Sequence, residues 1–555
     1  MEHTIAQTAH EALLRDHFRA PFPPDDGAVG RVLSMLADWQ EPARGEPYPT
    51  LAFEDLARRF ASSSPPRHGV AADAVLDDIA RDLLPHTARL NHPRYIGHMT
   101  QALPWMAPLL EALAAALNQN QVKVETAYAS TLIEAQVIAW LHRAVFARDV
   151  AFYEQVARTR GLTLGNAVSG GTMGNVTALA VALERMLPGA RRRGLVACLR
   201  EQDWQGIAVV ASSRAHYSIR KALATVGLGE EALRVVAVDA DSRIDLGQLE
   251  RQLTALRRDR VRVMAIVGIA GTTETGAIDP LTDLAAIAAD EQAWFHVDAA
   301  WGGALALSEK HRGALAGIER ADSVVVDGHK LMWVPMAQGL ALFRDPSSLD
   351  ALRHHADYII RRDSDDLGQT SLEGSRRFDA LKLWATLKLL GTDGYAALFD
   401  RAGMLAQTMR GLIRERADFE LSSDSDTFIL TYRYIPQPVR RLLDAHGRED
   451  VGFVNEVNQA LNHLNAALQE QQKAAGRSFV SRTTLECRAC RAGRVVLRIV
   501  LTNMLTTRAH LEEILDEQQA LGDSLAAKME LQRRMDDAVS VRGSAAGVLS
   551  KLGQR

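Results

Sequence analysis

From about residue 160 the apolar positions fall into short runs separated by helix-like stretches. The runs are Ile207-Ala208-Val209-Val210, Val235-Val236-Ala237-Val238, Val263-Met264-Ala265-Ile266-Val267, 294–297, 324–326 and 340–343. A near-continuous apolar run of this length suits a strand buried on both faces. The alternation therefore predicts a mostly parallel α/β sheet covered by helices. Residues 1 to about 90 read instead as helices and polar connections, punctuated by Pro21-Phe22-Pro23-Pro24 and Ser62-Ser63-Ser64-Pro65-Pro66. Helices are expected from residue 105 to 117 and from 131 to about 146.

Beyond Arg344 the stretch 361–369 is charged and poor in apolar residues, and it reads as a mobile loop or lid. A long helix is expected from about residue 375. It leads to a smaller α+β domain with strands at 428–431 and 495–501. The expected organisation is an N-terminal helical segment (1–104) packing on a partner subunit, a large domain (105–385), a small C-terminal domain (386–522) and a tail (523–555) passing from helix to disorder.

Four polar clusters follow apolar strands, on the side where a parallel sheet leaves its ligand crevice. Ser169-Gly170-Gly171-Thr172-Met173-Gly174-Asn175 opens a helix, whose free N–H groups and positive end suit a phosphate. Ser212-Ser213-Arg214-Ala215-His216-Tyr217-Ser218 brings an imidazole, and Gly271-Thr272-Thr273-Glu274-Thr275-Gly276 brings hydroxyls. The fourth cluster pairs Asp298, at the end of Trp294-Phe295-His296-Val297-Asp298, with Lys330, just past Val324-Val325-Val326-Asp327-Gly328-His329. Taken alone, a surface lysine or a strand-end aspartate is the ordinary reading of either residue. Together with a phosphate seat they suggest pyridoxal phosphate: lysine as imine former, aspartate as partner of the ring nitrogen.

Composition narrows the classes. The chain has 555 residues, 47% hydrophobic and 24% charged, with a net charge of −4. That argues against a basic nucleic-acid surface, and no apolar run approaches a membrane span. The N-terminus lacks the pattern of a signal peptide, so the cytoplasm is the expected location. Cys487 and Cys490 form a C-x-x-C without a second ligand pair, and read as incidental thiols rather than a redox or metal site. No metal is expected. Arg498, in the middle of an apolar strand, requires an anion, either a neighbouring carboxylate or a ligand.

The pieces HPRYIGHMT, SGGTMGN, AHYS, GTTETG, FHVDAAWGG, VDGHK, SRRFDALKLW and LRIVLTN, from about residue 90 to 505, resemble the group II pyridoxal-phosphate-dependent amino acid decarboxylases. NQNQVKVET, DGHK followed by Pro335-Met336, SLEGSR and SFVSRTTL resemble the branch that acts on aspartate. The resemblance implies a fold-type-I homodimer, its sheet of the mostly parallel seven-stranded type, with active sites at the subunit interface, acting on a small amino acid. It implies Lys330 as the Schiff-base lysine, Asp298 at the pyridinium nitrogen, His216 over the ring and Ala300 beneath it. Gly171, Thr172 and Met173 would hold the phosphate with His329 close by, and Thr272 would also contact the cofactor. His98, Asn120 and Arg498 would meet the substrate. Many relatives carry a tyrosine on the mobile loop as proton donor; the nearest here is Tyr358, at the loop's start, with His216 or water as alternatives. Aspartate would give β-alanine, a coenzyme A precursor. Glutamate or aromatic substrates, other fold-type-I chemistry, and a catalytically silent relative are the competing readings.

Overall fold

The structure is a computed structural model, described here for residues 27–42, 44–355, 364–425, 427–446, 451–486, 493–531 and 535. Its larger sheet has seven strands: β1 (Gly165–Val168), β2 (Gly206–Ser212), β3 (Leu233–Val236), β4 (Val261–Ile269), β5 (Trp294–Asp298), β6 (Ser323–Asp327) and β7 (Gly339–Phe343). Their order is β1-β7-β6-β5-β4-β2-β3, and only β7 runs antiparallel to its neighbours. The central strands β5 and β6 are buried along their whole length, as their unbroken apolar runs require. Register sets Asp298 beside Val325 and Ile269, so the ends of β4, β5 and β6 open on one crevice.

Helices fill both faces. Those relevant to the site are α1 (Ala107–Leu117), α2 (Ala129–Phe146), α3 (Gly171–Met186) and α4 (Ala380–Glu415). The last is broken at Gly391, whose φ of 62° with ψ of 178° is open to glycine and costly to other residues. It ties the large sheet to an antiparallel one, ordered β10-β11-β9-β8, made of β8 (Phe419–Ser423), β9 (Ile429–Tyr434), β10 (Ser481–Leu485) and β11 (Arg494–Val500). Helices α5 (Val451–Ala475) and α6 (Arg508–Lys528) cover that sheet.

The segment 94–97 joins the small sheet of its own chain. Ile96 N–H donates to the Phe479 carbonyl, Phe479 N–H to that of Arg94, and Val500 N–H to that of Ile96. Tyr95 stacks on Phe479 at 4.8 Å. A Cβ on Gly97 would lie 2.6 Å from the Phe479 ring and 2.7 Å from the Ser481 nitrogen, so only glycine fits.

Strands β1, β8 and β10 carry no strong apolar signal: β1 is four residues of Gly-Asn-Ala-Val, and β10 exposes alternate positions. The lid expectation is corrected for residues 364–369, which are pinned. Asp366 accepts from Val124 N–H, Asp365 from Gly161 N–H, and the Gln369 carbonyl from His354 N–H. Arg361, Arg362, Asp363 and Tyr358 lie outside the described residues, as do Cys487, Cys490 and most of the 523–555 tail beyond Glu530. Among the described residues no helix is long and apolar enough to cross a membrane.

Candidate active site

The strand ends and the first turn of α3 enclose a cavity of about 380 Å³. Six of the expected residues, Gly171, Thr172, Met173, His216, Asp298 and Ala300, line it together with His329 and Lys330. Gly171 is required by close approach: a Cβ there would lie 3.0 Å from Asp327 Oδ2 and 3.1 Å from the Ala300 Cβ. The helix start therefore presents bare backbone N–H groups to the cavity, as an anion seat does.

Asp298 is held by donors. Asn175 Nδ2 donates to its Oδ2 at 2.9 Å, and the Ala300 N–H to its Oδ1 at 3.2 Å. The second amide proton of Asn175 goes to Ser218 Oγ at 2.9 Å, and its Oδ1 faces His296 Nε2 at 2.9 Å. Because Oδ1 can only accept, His296 carries its proton on Nε2. Its Nδ1 then accepts from Ser323 Oγ, which itself accepts from Trp294 Nε1. Full burial pushes His296 down to about 4, in keeping with this neutral tautomer. Ser218 Oγ stands 2.9 Å from His216 Nδ1 and can give it its proton, which leaves Nε2–H on the cavity side. Burial lowers His216 as well, against the opposing pull of Asp298.

Lys330 Nζ lies 3.0 Å from Asp327 Oδ2, and His329 Nε2 lies 3.6 Å from the same oxygen. His329 Nδ1 donates to the Gln338 carbonyl at 2.7 Å, and burial lowers its pKa. The lysine's backbone is pinned: its carbonyl accepts from Gln101 Nε2 at 2.7 Å, and the Met332 carbonyl from the Tyr395 hydroxyl at 3.1 Å. The cavity thus combines an amine able to condense with a carbonyl, a carboxylate fixed by two donors, and a phosphate seat. These parts suit pyridoxal phosphate.

Other expected residues fall elsewhere. Thr272 does not reach the cavity: its hydroxyl is bonded to Thr275 Oγ1 at 2.8 Å and accepts from Ala277 N–H, within the turn. Its neighbours Gly271 and Thr273 line the wall instead. Asn120 is not brought to the cavity of its own chain. Its Oδ1 accepts from the N–H groups of Val122 and Arg376, and its Nδ2 donates to Ser375.

Arg498 sits behind the wall, its Nε on the Thr273 carbonyl at 2.6 Å and its Nη1 on that of Gly97 at 3.0 Å. Among the described residues it meets no carboxylate at ion-pair distance, and burial pushes it down to about 10. His98 packs 5.3 Å from the Phe479 ring, and its pKa is lowered by desolvation and then by the Arg498 charge. Asn175, Gln101, Arg214 and Asp327 are the site residues given no role in the sequence reading.

The pyridoxal-dependent decarboxylase conserved domain matches residues 56–435. Aspartate 1-decarboxylase of Aliivibrio fischeri is 37% identical over 534 residues, 94% of this chain and 96% of that protein. The chain belongs to the pyridoxal-dependent decarboxylase family. L-2,4-diaminobutyrate decarboxylase of Rhizobium meliloti is 32% identical, over 75% of this chain and 80% of its own. Among solved structures, mouse CSAD in apo form matches with a TM-score of 0.77 and 26% identity, covering 93% of this chain and 99% of that one. The rice TDC structure with PLP and tryptamine shares the fold (TM-score 0.76) at 20% identity, covering 91% of this chain and all of that one. This family member is accordingly a carboxy-lyase that uses pyridoxal phosphate to decarboxylate an amino acid.

Proposed function

We propose that this decarboxylase removes the α-carboxylate of L-aspartate, giving β-alanine and CO₂. The observation that carries the reading is the buried guanidinium of Arg498, which among the described residues has no carboxylate at ion-pair distance, behind the cavity wall that faces Lys330, Asp298 and the anion seat. The identity to an aspartate 1-decarboxylase over nearly the whole chain supports it.

When bound, the cofactor supplies a carbonyl for the substrate amine and a ring that withdraws electrons from the bond that breaks. Lys330 would hold that carbonyl at rest, its amine being the group that the substrate amine replaces. Asp298, held by Asn175 and Ala300, keeps a proton on the ring nitrogen. Gly171, Thr172 and Met173 hold the phosphate, His329 lies close to it, and Ala300 forms one face of the slot. His216 closes the other face, its Nε2–H directed by Ser218. Arg498 gives the substrate side a positive, desolvated border with the neutral His98 beside it, and Asn120 would line the substrate side of the interface site. Tyr358, His216 or water would return the proton to Cα.

The working unit is a homodimer in the cytoplasm. Supporting this, Leu109, Leu113 and Leu117 leave one side of α1 apolar and exposed, with Trp105, Tyr128 and Leu132 also exposed nearby in the chain. A helix stripe at this spacing suits burial against a second copy.

The test is a substrate screen. Cofactor-loaded protein is offered aspartate, glutamate, cysteine sulfinate, 2,4-diaminobutyrate and DOPA, with CO₂ and amine products measured. β-Alanine from aspartate at the highest kcat/KM is expected. A better rate on any other acid overturns the aspartate assignment.

A further inference from the structure

Arg214 lies two residues before His216, and its side chain lines the cavity. The residue is 6% exposed. Its Nη1 reaches the Thr484 carbonyl at 3.3 Å, a long hydrogen bond, and its buried Nε has no partner. Other buried arginines meet acids: Arg376 has Glu134 at 2.7 Å, and Arg433 has Glu420 at 3.3 Å. Among the described residues Arg214 has no carboxylate at ion-pair distance. A guanidinium taken out of water without a counter-ion is costly, and a wall that keeps one is completed by an anion.

Arg498 stands close by, behind this wall. Its Nη1 reaches Ser481 Oγ at 3.3 Å, three residues along β10 from the Thr484 carbonyl that takes Arg214. Three residues of strand separate these two anchor points by ~10 Å. The buried Nη2 of Arg498 has no partner either, and Glu274 acts on this arginine only through space. Lys330, the remaining cation on the cavity wall, already has Asp327. A guanidinium on the wall short of an anion, with a second one behind it, suits a ligand that carries more than one carboxylate.

We infer that Arg214 takes the second carboxylate of a dicarboxylic amino acid, the group that a monocarboxylic substrate lacks. This rests on the decarboxylase reading above, but not on aspartate being the diacid. The planar fork of arginine suits the task, since it meets a carboxylate with two parallel donors.

The test is calorimetric titration of the cofactor-loaded enzyme with succinate and with propionate, neither of which has an amine to react. The native enzyme should bind succinate about tenfold or more tightly than propionate. R214Q should reduce that preference to roughly twofold or less while leaving cofactor affinity and absorbance unchanged. R214K, which keeps the charge without the fork, should fall between them.

No succinate preference in the native enzyme, or an undiminished preference in R214Q, overturns the inference. So does a loss of cofactor affinity in R214Q large enough to account for the change. Should R214Q fail to fold, R214K decides: an unaltered succinate preference there overturns the fork. Failure of the aspartate assignment is distinguishable, because aspartate would then give no β-alanine while succinate still outbinds propionate in an Arg214-dependent way.

Discussion

Asn175 donates to Asp298 at 2.9 Å while its carbonyl faces His296 Nε2 at the same distance, so one amide fixes the carboxylate from behind. Its remaining proton reaches Ser218, and through it His216. Asp298 and His216, expected on opposite parts of the cofactor, are therefore oriented by one side chain on the first turns of α3. Asn175→Ala removes a partner from three buried groups at once. The expected cost is about 2–4 kcal/mol of stability, from unsatisfied buried polar groups. It should also give a roughly tenfold or greater fall in kcat, read by urea unfolding and steady-state kinetics.

Lys330→Ala should abolish turnover, by roughly 10⁴-fold or more, and remove the visible absorbance of the lysine–cofactor adduct. The far-ultraviolet dichroism should not change, because the side chain borders a cavity and its backbone contacts to Gln101 remain. Residual turnover near the native rate would exclude the mechanism.

Gly171→Ala places a methyl group 3.0 Å from Asp327 Oδ2 and 3.1 Å from Ala300 Cβ. The first turn of α3 must then shift at the anion seat. Cofactor affinity should fall by about tenfold or more, measured by titrating apoenzyme with pyridoxal phosphate.

Breaking the buried pair of Arg376 and Glu134, 2.7 Å apart, should destabilise by about 3–5 kcal/mol, because the surviving charge is left in the interior. Glu134→Ala should show this as a lower midpoint of denaturation. The double change of Glu134→Leu with Arg376→Met should recover much of the loss.

Stability should rise with pH between about 4 and 6.5. His92, His142 and His296 are each held down to about 4 by burial, against an ordinary value of 6.5. In that window the unfolded chain binds protons that the folded one refuses, so each histidine contributes a positive slope of about 1.4 kcal/mol per pH unit. Asp279, pushed up to about 6 from 3.8, has the opposite sign below pH 6. With three groups of one sign against one of the other, the net slope stays positive between about pH 4 and 6. Urea unfolding at stepped pH measures it, and a flat profile would contradict the burial of these imidazoles.

Much of the sheet and the centre of the site was legible because both follow from strand ends. A buried strand needs an uninterrupted apolar run, and the polar residue that stops the run is the one exposed to the crevice, as Asp298 is. Lys330, Gly171 and His216 follow strands in the same way. The turn after β4 was less legible. Gly271 adopts a φ of 97°, and the Thr272 hydroxyl closes the turn on Thr275 and Ala277, so the neighbouring residues face the cavity. Spacing alone does not distinguish two adjacent threonines. Asn175, Gln101 and Arg214 were hidden for another reason. Each resembles an ordinary polar residue near a helix or loop, and its partners lie 123, 229 and 270 positions away. Arg498 was expected to meet an anion; its bonds go instead to two carbonyls and a hydroxyl, with one amino group left over.

The pairing of segment 94–97 with the small sheet bears on how the protein is made. The carbonyl of Gly97 waits for Arg498, which is synthesised 401 residues later. At ~5–20 residues per second a ribosome takes roughly 20–80 s to cover that distance. The larger sheet, complete by residue 343, can fold in the meantime. The wall beside Met99 and Lys330 cannot close until β11 emerges, so cofactor captured during synthesis would enter a half-built site open on its substrate side.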